Sequence, residues 1–346
     1  NPESIADDRI WSIFEDSKGN IWIGTLGNGL DLFNKKTKSF KHYKSGEVNS
    51  LNSNFITCIT EDKEGSLWIG TALGLTVINL NTGRHRYFSF DVGNTNSLSN
   101  NNILSVICDS RGWIWIGTRE GLNLYNKKTN SFIRFNQSNG LPDDAILTIV
   151  EDRSGNLWMG TPNGLSNLII KNNDINNLNY DIHNYDESDG LQGKEFNERA
   201  VLKTRTGELI FGGPNGFNIF KPEDIKANKI LPEVYFTDFY ILNKPINPNI
   251  NINGRKLIDN SILFSKHIVL KFNENIFTIE FTGLNYFQPE KNKYKYKLEG
   301  FNDNWMETNS NQRKVTYTNL NPGTYTFKVI ASNNDGIWNE KGNELI

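Results

Sequence analysis

The histidines His42, His85, His183 and His267 are natural candidates for acid–base or metal chemistry, but they lie far apart and share no metal-ligand spacing. No Gly-x-Ser-x-Gly nucleophile elbow and no glycine-rich phosphate loop occurs, and the paired Gly212 and Gly213 belong to a recurring Gly-Thr slot. No catalytic residue, metal site or cofactor is therefore expected. Acids recur more regularly. Asp16, Asp62, Asp109 and Asp152 each stand three residues before a glycine. Aspartate favours the first position of a type I turn, where its carboxylate bonds the backbone ahead, and glycine suits the end, where φ turns positive. These acids read as turn formers rather than as calcium or acid–base groups. Glu120, Asp143, Asp144 and Glu198 are loop acids outside that register.

The turns belong to a longer pattern that must position everything else. Residues 61–71 read EDKEGSLWIGT, and 15–25, 108–118 and 151–161 read EDSKGNIWIGT, CDSRGWIWIGT and EDRSGNLWMGT. A worn fifth copy, KTRTGELIFGG, occupies 203–213. The repeat glycines Gly19, Gly65, Gly112, Gly155 and Gly207 are separated by 46, 47, 43 and 52 residues. Each copy opens with period-two alternation rich in β-branched residues, which predicts a strand. The Asp-x-x-Gly turn leads into a second strand carrying Trp22, Trp68, Trp115 or Trp158, with Ile210 in the fifth copy. A second glycine turn precedes a third strand, as in Leu30–Phe33 and Leu75–Ile78. A short aromatic strand then follows at Phe40–Tyr43, Tyr87–Phe90 and Phe132–Phe135. Four strands in about 45 residues is the measure of a β-propeller blade. The tryptophans read as packing between blades. Each can bury roughly 150–250 Å², about 4–6 kcal/mol gross at about 25 cal/mol per Å².

The chain has 346 residues and a formal net charge of −2. Basic and acidic residues are interspersed, so no nucleic-acid surface is expected. Cys58 and Cys108 fall at opposite strand parity in neighbouring repeats, which argues against a disulfide between them. No leader and no membrane-spanning run is read, and a chain that begins at Asn1 without Met is expected to be cut from a longer protein. Beyond Pro222 the pattern changes. Val234–Leu242, Ile262–Phe264, Val269–Phe272 and the alternating IFTIEF at 276–281 are expected strands. KYKYKLEGFNDNW at 293–305 and KVTYTNLNPGTYTFKVIASNNDG at 314–336 add short strands between Asn-Pro-Gly and Asn-Asp-Gly turns. The expected organisation is all-β. Five propeller repeats occupy 1–225, and an immunoglobulin- or fibronectin-like β-sandwich occupies 231–346.

The (E/D)D-x-x-G-x-(I/L)-W-(I/M)-G-T copies resemble the two-component regulator propeller repeat, and the region after Pro232 resembles the triple-tyrosine (Y_Y_Y) domain that follows such propellers. Tyr296 in YKLEGFNDNW, Tyr317 in VTYTNL and Tyr325 in PGTYTFKV match its three named tyrosines. The resemblance covers nearly the whole chain. It implies the extracytoplasmic sensor region of a membrane-bound signalling protein, periplasmic or extracellular, acting as a homodimer. A membrane helix would follow Ile346, and a cytoplasmic histidine kinase would carry the output. It also implies an oligosaccharide ligand and seven-bladed rings, so the five repeats are expected as the last five blades of such a ring, the alternative being that five close into a small ring of their own.

With the repeats carrying the fold, binding residues are sought among polar or aromatic side chains that depart from the repeat. Trp11 replaces Thr57, Leu104 and Leu147, and Trp113 stands where Asn20, Ser66 and Asn156 stand. Arg119 follows the third tryptophan strand, and Asn197, Glu198 and Arg199 lie just before the fifth repeat. Aromatic faces and bidentate polar groups hold sugars, so Trp11, Arg119, Asn197 and Arg199 are the candidate ligand-binding residues. Two other readings stand beside a sensor. One is a passive protein-binding scaffold, which a large exposed apolar patch would mark. The other is a propeller glycosidase or lyase, which needs lone acids at the central funnel. In the second domain Tyr296, Tyr317, Tyr325 and Trp305 are expected as core and corner residues.

Overall fold

The computed structural model describes residues 4–46, 50–252 and 254–346. It is all-β, and the chain divides into two compact units, Asn1–Ile225 and Lys226–Ile346.

The first unit is a run of antiparallel blades. Blade 1 is built from Ile10–Glu15, Ile21–Thr25, Leu30–Asn34 and Ser39–Tyr43, hydrogen-bonded in chain order. Blade 2 (Ile56–Glu61, Ser66–Thr71, Gly74–Asn79, His85–Phe88) and blade 3 (Ile103–Cys108, Ile114–Thr118, Gly121–Asn126, Ser131–Phe135) repeat it. Blade 4 comprises Thr148–Glu151, Leu157–Thr161, Gly164–Ile170 and Tyr180–Tyr185. Blade 5 has three strands, Val201–Lys203, Leu209–Gly213 and Gly216–Phe220. The first strands of successive blades pack against one another, as the strands lining a propeller axis do. The fourth strand of blade 2 ends at Phe88 rather than at Phe90. Asn101 Oδ1 captures the Phe90 N–H at 2.7 Å and draws that residue into the loop leading to blade 3.

One carboxylate organises each hairpin. Asp62 Oδ1 accepts the amides of Glu64 and Ser66 at 3.0 and 2.8 Å, closing the turn, while its Oδ2 accepts the Trp68 indole N–H at 2.9 Å. Trp22, Trp115 and Trp158 donate in the same way to Asp16, Asp109 and Asp152 at 2.9–3.1 Å. Gly65 ends the turn at φ +77°, a conformation that strains any side chain. The oriented tryptophan then packs on the next blade. Trp68 is buried against Ile114 and Ile116, with Tyr125 4.9 Å away and Phe88 stacked at 5.8 Å. Gly70 lets that blade approach, since a Cβ there would lie 2.8 Å from Ile103.

Blades 1 and 5 present the same surfaces uncovered. Ile59 of blade 2 is buried under blade 1, whereas its counterpart Ile13 is 66% exposed. Leu75 and Val77 are buried under blade 3, whereas their counterparts Phe217 and Ile219 are 66% and 53% exposed. A neighbouring blade covers such rows at every internal junction.

The second unit packs two four-stranded sheets face to face. One runs Lys244–Pro245, Glu233–Ile241, Ile276–Leu284, Lys314–Thr318 and the other Met306–Asn309, Lys293–Glu299, Thr326–Ser332, Trp338–Leu345. Phe236, Phe281, Tyr294 and Phe327 fill the space between them. Tyr317 is buried, and Tyr296 and Tyr325 pack on this core. Trp305 is a correction. It lies 39% exposed outside the core, with Lys297 Nζ 5.2 Å from its ring centroid, where a wet ammonium can meet the ring face.

Ile262–Phe264 and Val269–Phe272 are also corrections, since neither forms a strand. Ile262–Phe264 is a 3-10 turn capped by the Ser261 side chain, and Phe272–Glu274 is another. Glu274 is buried, accepts the Lys271 amide at 2.8 Å and pairs with Arg255 at 2.6 Å. Local side-chain bonds offered to the backbone compete with a ladder. The start of this unit is pinned as well, because Asn333 Nδ2 donates to the carbonyls of Asn228 and Ile230.

Two outcomes follow from the Asp–Trp pairing. Trp68→Ala should destabilise by about 3–5 kcal/mol through the cavity it leaves, read as a fall in the urea midpoint, and an unchanged midpoint contradicts the packing role. Asp16 supplies the second test. Burial pushes its carboxyl up, but the bonds from Trp22, Asn20 and Lys18 outweigh burial and hold it below the usual carboxylate range. Its contribution is therefore present above the unfolded value of about 3.9 and is lost as pH falls through the lower folded value. Between about pH 5 and about pH 2 the native chain should lose more stability than Asp16→Asn; equal losses would show that this carboxylate is not engaged.

Candidate functional site

The first strands of blades 1 to 3 carry an irregularity at one register position, and the matching residues of blades 4 and 5 lie just ahead of the first strand. In blade 1 the pairing steps from Ile10↔Thr25 to Ser12↔Gly24, leaving Trp11 as a bulge, and Thr57 is the matching residue of blade 2. Leu104 is skipped between Ile103 and Ser105 in blade 3. In blade 4 Leu147 donates its N–H to Gly160 O at 2.9 Å, and in blade 5 Asn197 donates to Gly212 O at 2.9 Å. The position is thus occupied by Trp11, Thr57, Leu104, Leu147 and Asn197 in turn. Bulges re-aim side chains and gather beside functional sites.

Blade 5 enlarges its bulge. Gly212 N–H returns to Ala200 O at 2.8 Å and the ladder resumes at Val201↔Phe211, so Glu198 and Arg199 are additional residues between Asn197 and Ala200. They form the corner of a turn closed by Ala200 N–H to Asn197 O at 3.3 Å, with Arg199 at φ +62°. A non-glycine residue in that region costs of order 1 kcal/mol and persists only where its surroundings hold it.

The turn reaches two other blades. Glu198 Oε1 pairs with Arg119 Nη2 of blade 3 at 3.1 Å. Arg199 Nη1 donates to the Thr57 carbonyl of blade 2, 142 residues away in sequence. Burial pushes the Arg199 guanidinium down from its ordinary value. Beside it, burial pushes the Cys58 thiol up to about 11, so that group is neutral near pH 7. Cys58 and Cys108 are both free thiols.

Of the four candidates, the structure brings Arg119 and Arg199 to one cluster through the Asn197–Ala200 turn, and Asn197 is the first residue of that turn. Trp11 shares the bulge register and is 40% exposed, but among the described residues it makes no ring contact or side-chain hydrogen bond with the other three. The Thr57 carbonyl is a cluster member that the sequence does not mark, and Glu198, set apart there only as a loop acid, joins the cluster through Arg119. A signal for the turn was available. A single residue separates Ile56 from Cys58, whereas three separate Phe196 from Ala200. Asp143 and Asp144 accept the nearby amides of Ala145 and Gln137 and hold their own loop. Among the described residues no three His, Cys, Asp or Glu side chains converge to hold a metal ion. No helix there is long and apolar enough to cross a membrane.

Comparison with known proteins agrees with this architecture. The two component regulator propeller family matches residues 4–27, 50–72, 97–120 and 140–163, the four blades with an Asp–Trp pair. The Y_Y_Y domain family matches residues 285–345. A curated relative, histidine kinase P4 of Formosa agariphila, is 34% identical over 158 residues, 45% of this chain and 11% of its own length. Among solved structures, the extracellular domain of BT4673 from B. thetaiotaomicron, described as a hybrid two component system, aligns with 99% of this chain and 44% of its own. That alignment has a TM-score of 0.50 and 24% identity, a likeness of fold. The chain therefore spans less than half the length of these relatives.

Proposed function

We propose that this chain, which carries two-component regulator propeller repeats and a Y_Y_Y domain, is the extracytoplasmic sensing region of a membrane-bound two-component signalling protein. In this reading the propeller binds an oligosaccharide at the axial mouth formed by the first-strand bulges, and the sandwich relays the event towards a cytoplasmic kinase. The naming of one relative as a histidine kinase and of another as an extracellular two-component domain supports the reading. The observation that carries it is the enlarged bulge of blade 5, which departs from the repeat and gathers Arg119, Glu198 and Arg199 from distant parts of the chain.

Arg119, Asn197 and Arg199 would supply hydrogen-bond donors at the mouth, and Trp11 an aromatic face. Such a site binds without turnover. For binding to signal, ligand must favour one of two states of the protein by differential affinity. A kinase of this kind would act as a homodimer tethered by a membrane helix.

The scaffold reading finds apolar surface on blades 1 and 5, but those rows have the register of interblade faces, which favours blade packing over partner binding. Calorimetric titration with plant, host and microbial oligosaccharides, with product analysis of the same samples, tests the proposal. Saturable binding without cleavage is expected. Release of shortened sugar would put the glycosidase or lyase reading first.

A further inference from the structure

Arg199 is a charge of the propeller cluster that no acid among the described residues neutralises. Its guanidinium has five N–H donors, and the Thr57 carbonyl takes one of them. Among the described residues no acid pairs with Arg199 and no other acceptor meets it. The nearest acid in sequence, Glu198, is already engaged by Arg119 at 3.1 Å. The neighbouring Cys58 thiol is buried and neutral and offers no counter-charge. Arg119, Glu198 and Arg199 together leave one net positive charge. The charge lies on a turn that exists only in blade 5 and is held in a left-handed conformation. A strut between blades would need neither the extra turn nor a half-buried cation, since a neutral donor reaches a carbonyl at lower desolvation cost.

We propose that Arg199 is an anion-binding residue at the propeller axis and that the sensed ligand carries an acidic group, a carboxylate or a sulfate ester, which this guanidinium grips. The inference rests on the sensing role proposed above and narrows its ligand to acidic oligosaccharides. The planar fork matches two oxygens of either group in a bidentate pair, which an ammonium cannot reproduce. In a partly dehydrated site a charge-assisted pair of this kind is worth more than at an open surface. Asn197 and Arg119 would then bond the neutral parts of the same sugar.

The test needs no knowledge of the natural ligand. Thermal unfolding of the intact chain, Arg199→Gln and Arg199→Lys is followed in sodium sulfate and in sodium chloride of equal ionic strength. Sulfate stabilises all proteins by exclusion from their surface, so the informative quantity is the difference between variants. The native chain should gain about 2 °C or more over Arg199→Gln as sulfate saturates the site, and Arg199→Lys should recover only part of that gain. The lysine variant keeps the charge and decides the matter if the glutamine variant does not fold. Identical sulfate responses in all three proteins would overturn the proposal. Titration with tetragalacturonate and with a sulfated carrageenan tetrasaccharide then tells the two acidic groups apart, and Arg199→Gln should weaken the one that binds by at least about tenfold. Tight binding of a neutral oligosaccharide, unchanged in Arg199→Gln, would remove the acidic ligand while leaving the sensing role intact.

Discussion

The bond from an indole N–H to an aspartate oxygen is the constraint on which the propeller depends. In four blades one carboxylate closes the hairpin with Oδ1 and fixes a tryptophan with Oδ2. A buried indole N–H without a partner costs about 1–3 kcal/mol, so the ring is held in one orientation, and that orientation presents its face to the next blade. Turn geometry, strand register and packing between blades are thereby one requirement. A change at the turn is felt in the core of the next junction, which is why all the parts recur together.

Blade 5 shows what happens when the requirement lapses. Thr204 stands in place of the aspartate and closes its turn by accepting the Glu208 amide at 3.0 Å, while Ile210 replaces the tryptophan and has no N–H to satisfy. Donor and acceptor were lost together, so nothing is left buried and unpaired. The same blade has a bare outer face, three strands and the enlarged bulge. Where the repeat rule relaxes, side chains are free to serve something other than packing. Arg199 and Glu198 occupy that freedom and meet blades 2 and 3.

Much of this is legible in the sequence. Period-two alternation, Asp-x-x-Gly turns and tryptophans in register identify blades because each is a local consequence of backbone geometry. The link between Asp and Trp is not legible there, since six residues of separation become contact only after the hairpin folds. Ile262–Phe264 and Val269–Phe272 misled because apolar types without alternation do not distinguish a strand from a capped turn. At the candidate site, departures from the repeat marked Trp11, Arg119, Asn197 and Arg199 singly. That Arg119 meets Glu198 across 79 residues follows from the curvature of the blade array, which no local pattern encodes. The extra residues after Phe196 were visible as spacing, but their direction towards the axis was not.

Amide hydrogen exchange of the intact chain, with and without whichever oligosaccharide binds in calorimetry, tests the central claim that ligand engages the axial mouth. The account predicts protection concentrated in residues 55–59, 119–121 and 196–200, with the fourth strands of the blades unchanged. Protection confined to the fourth strands, or to the unit Lys226–Ile346, would contradict it.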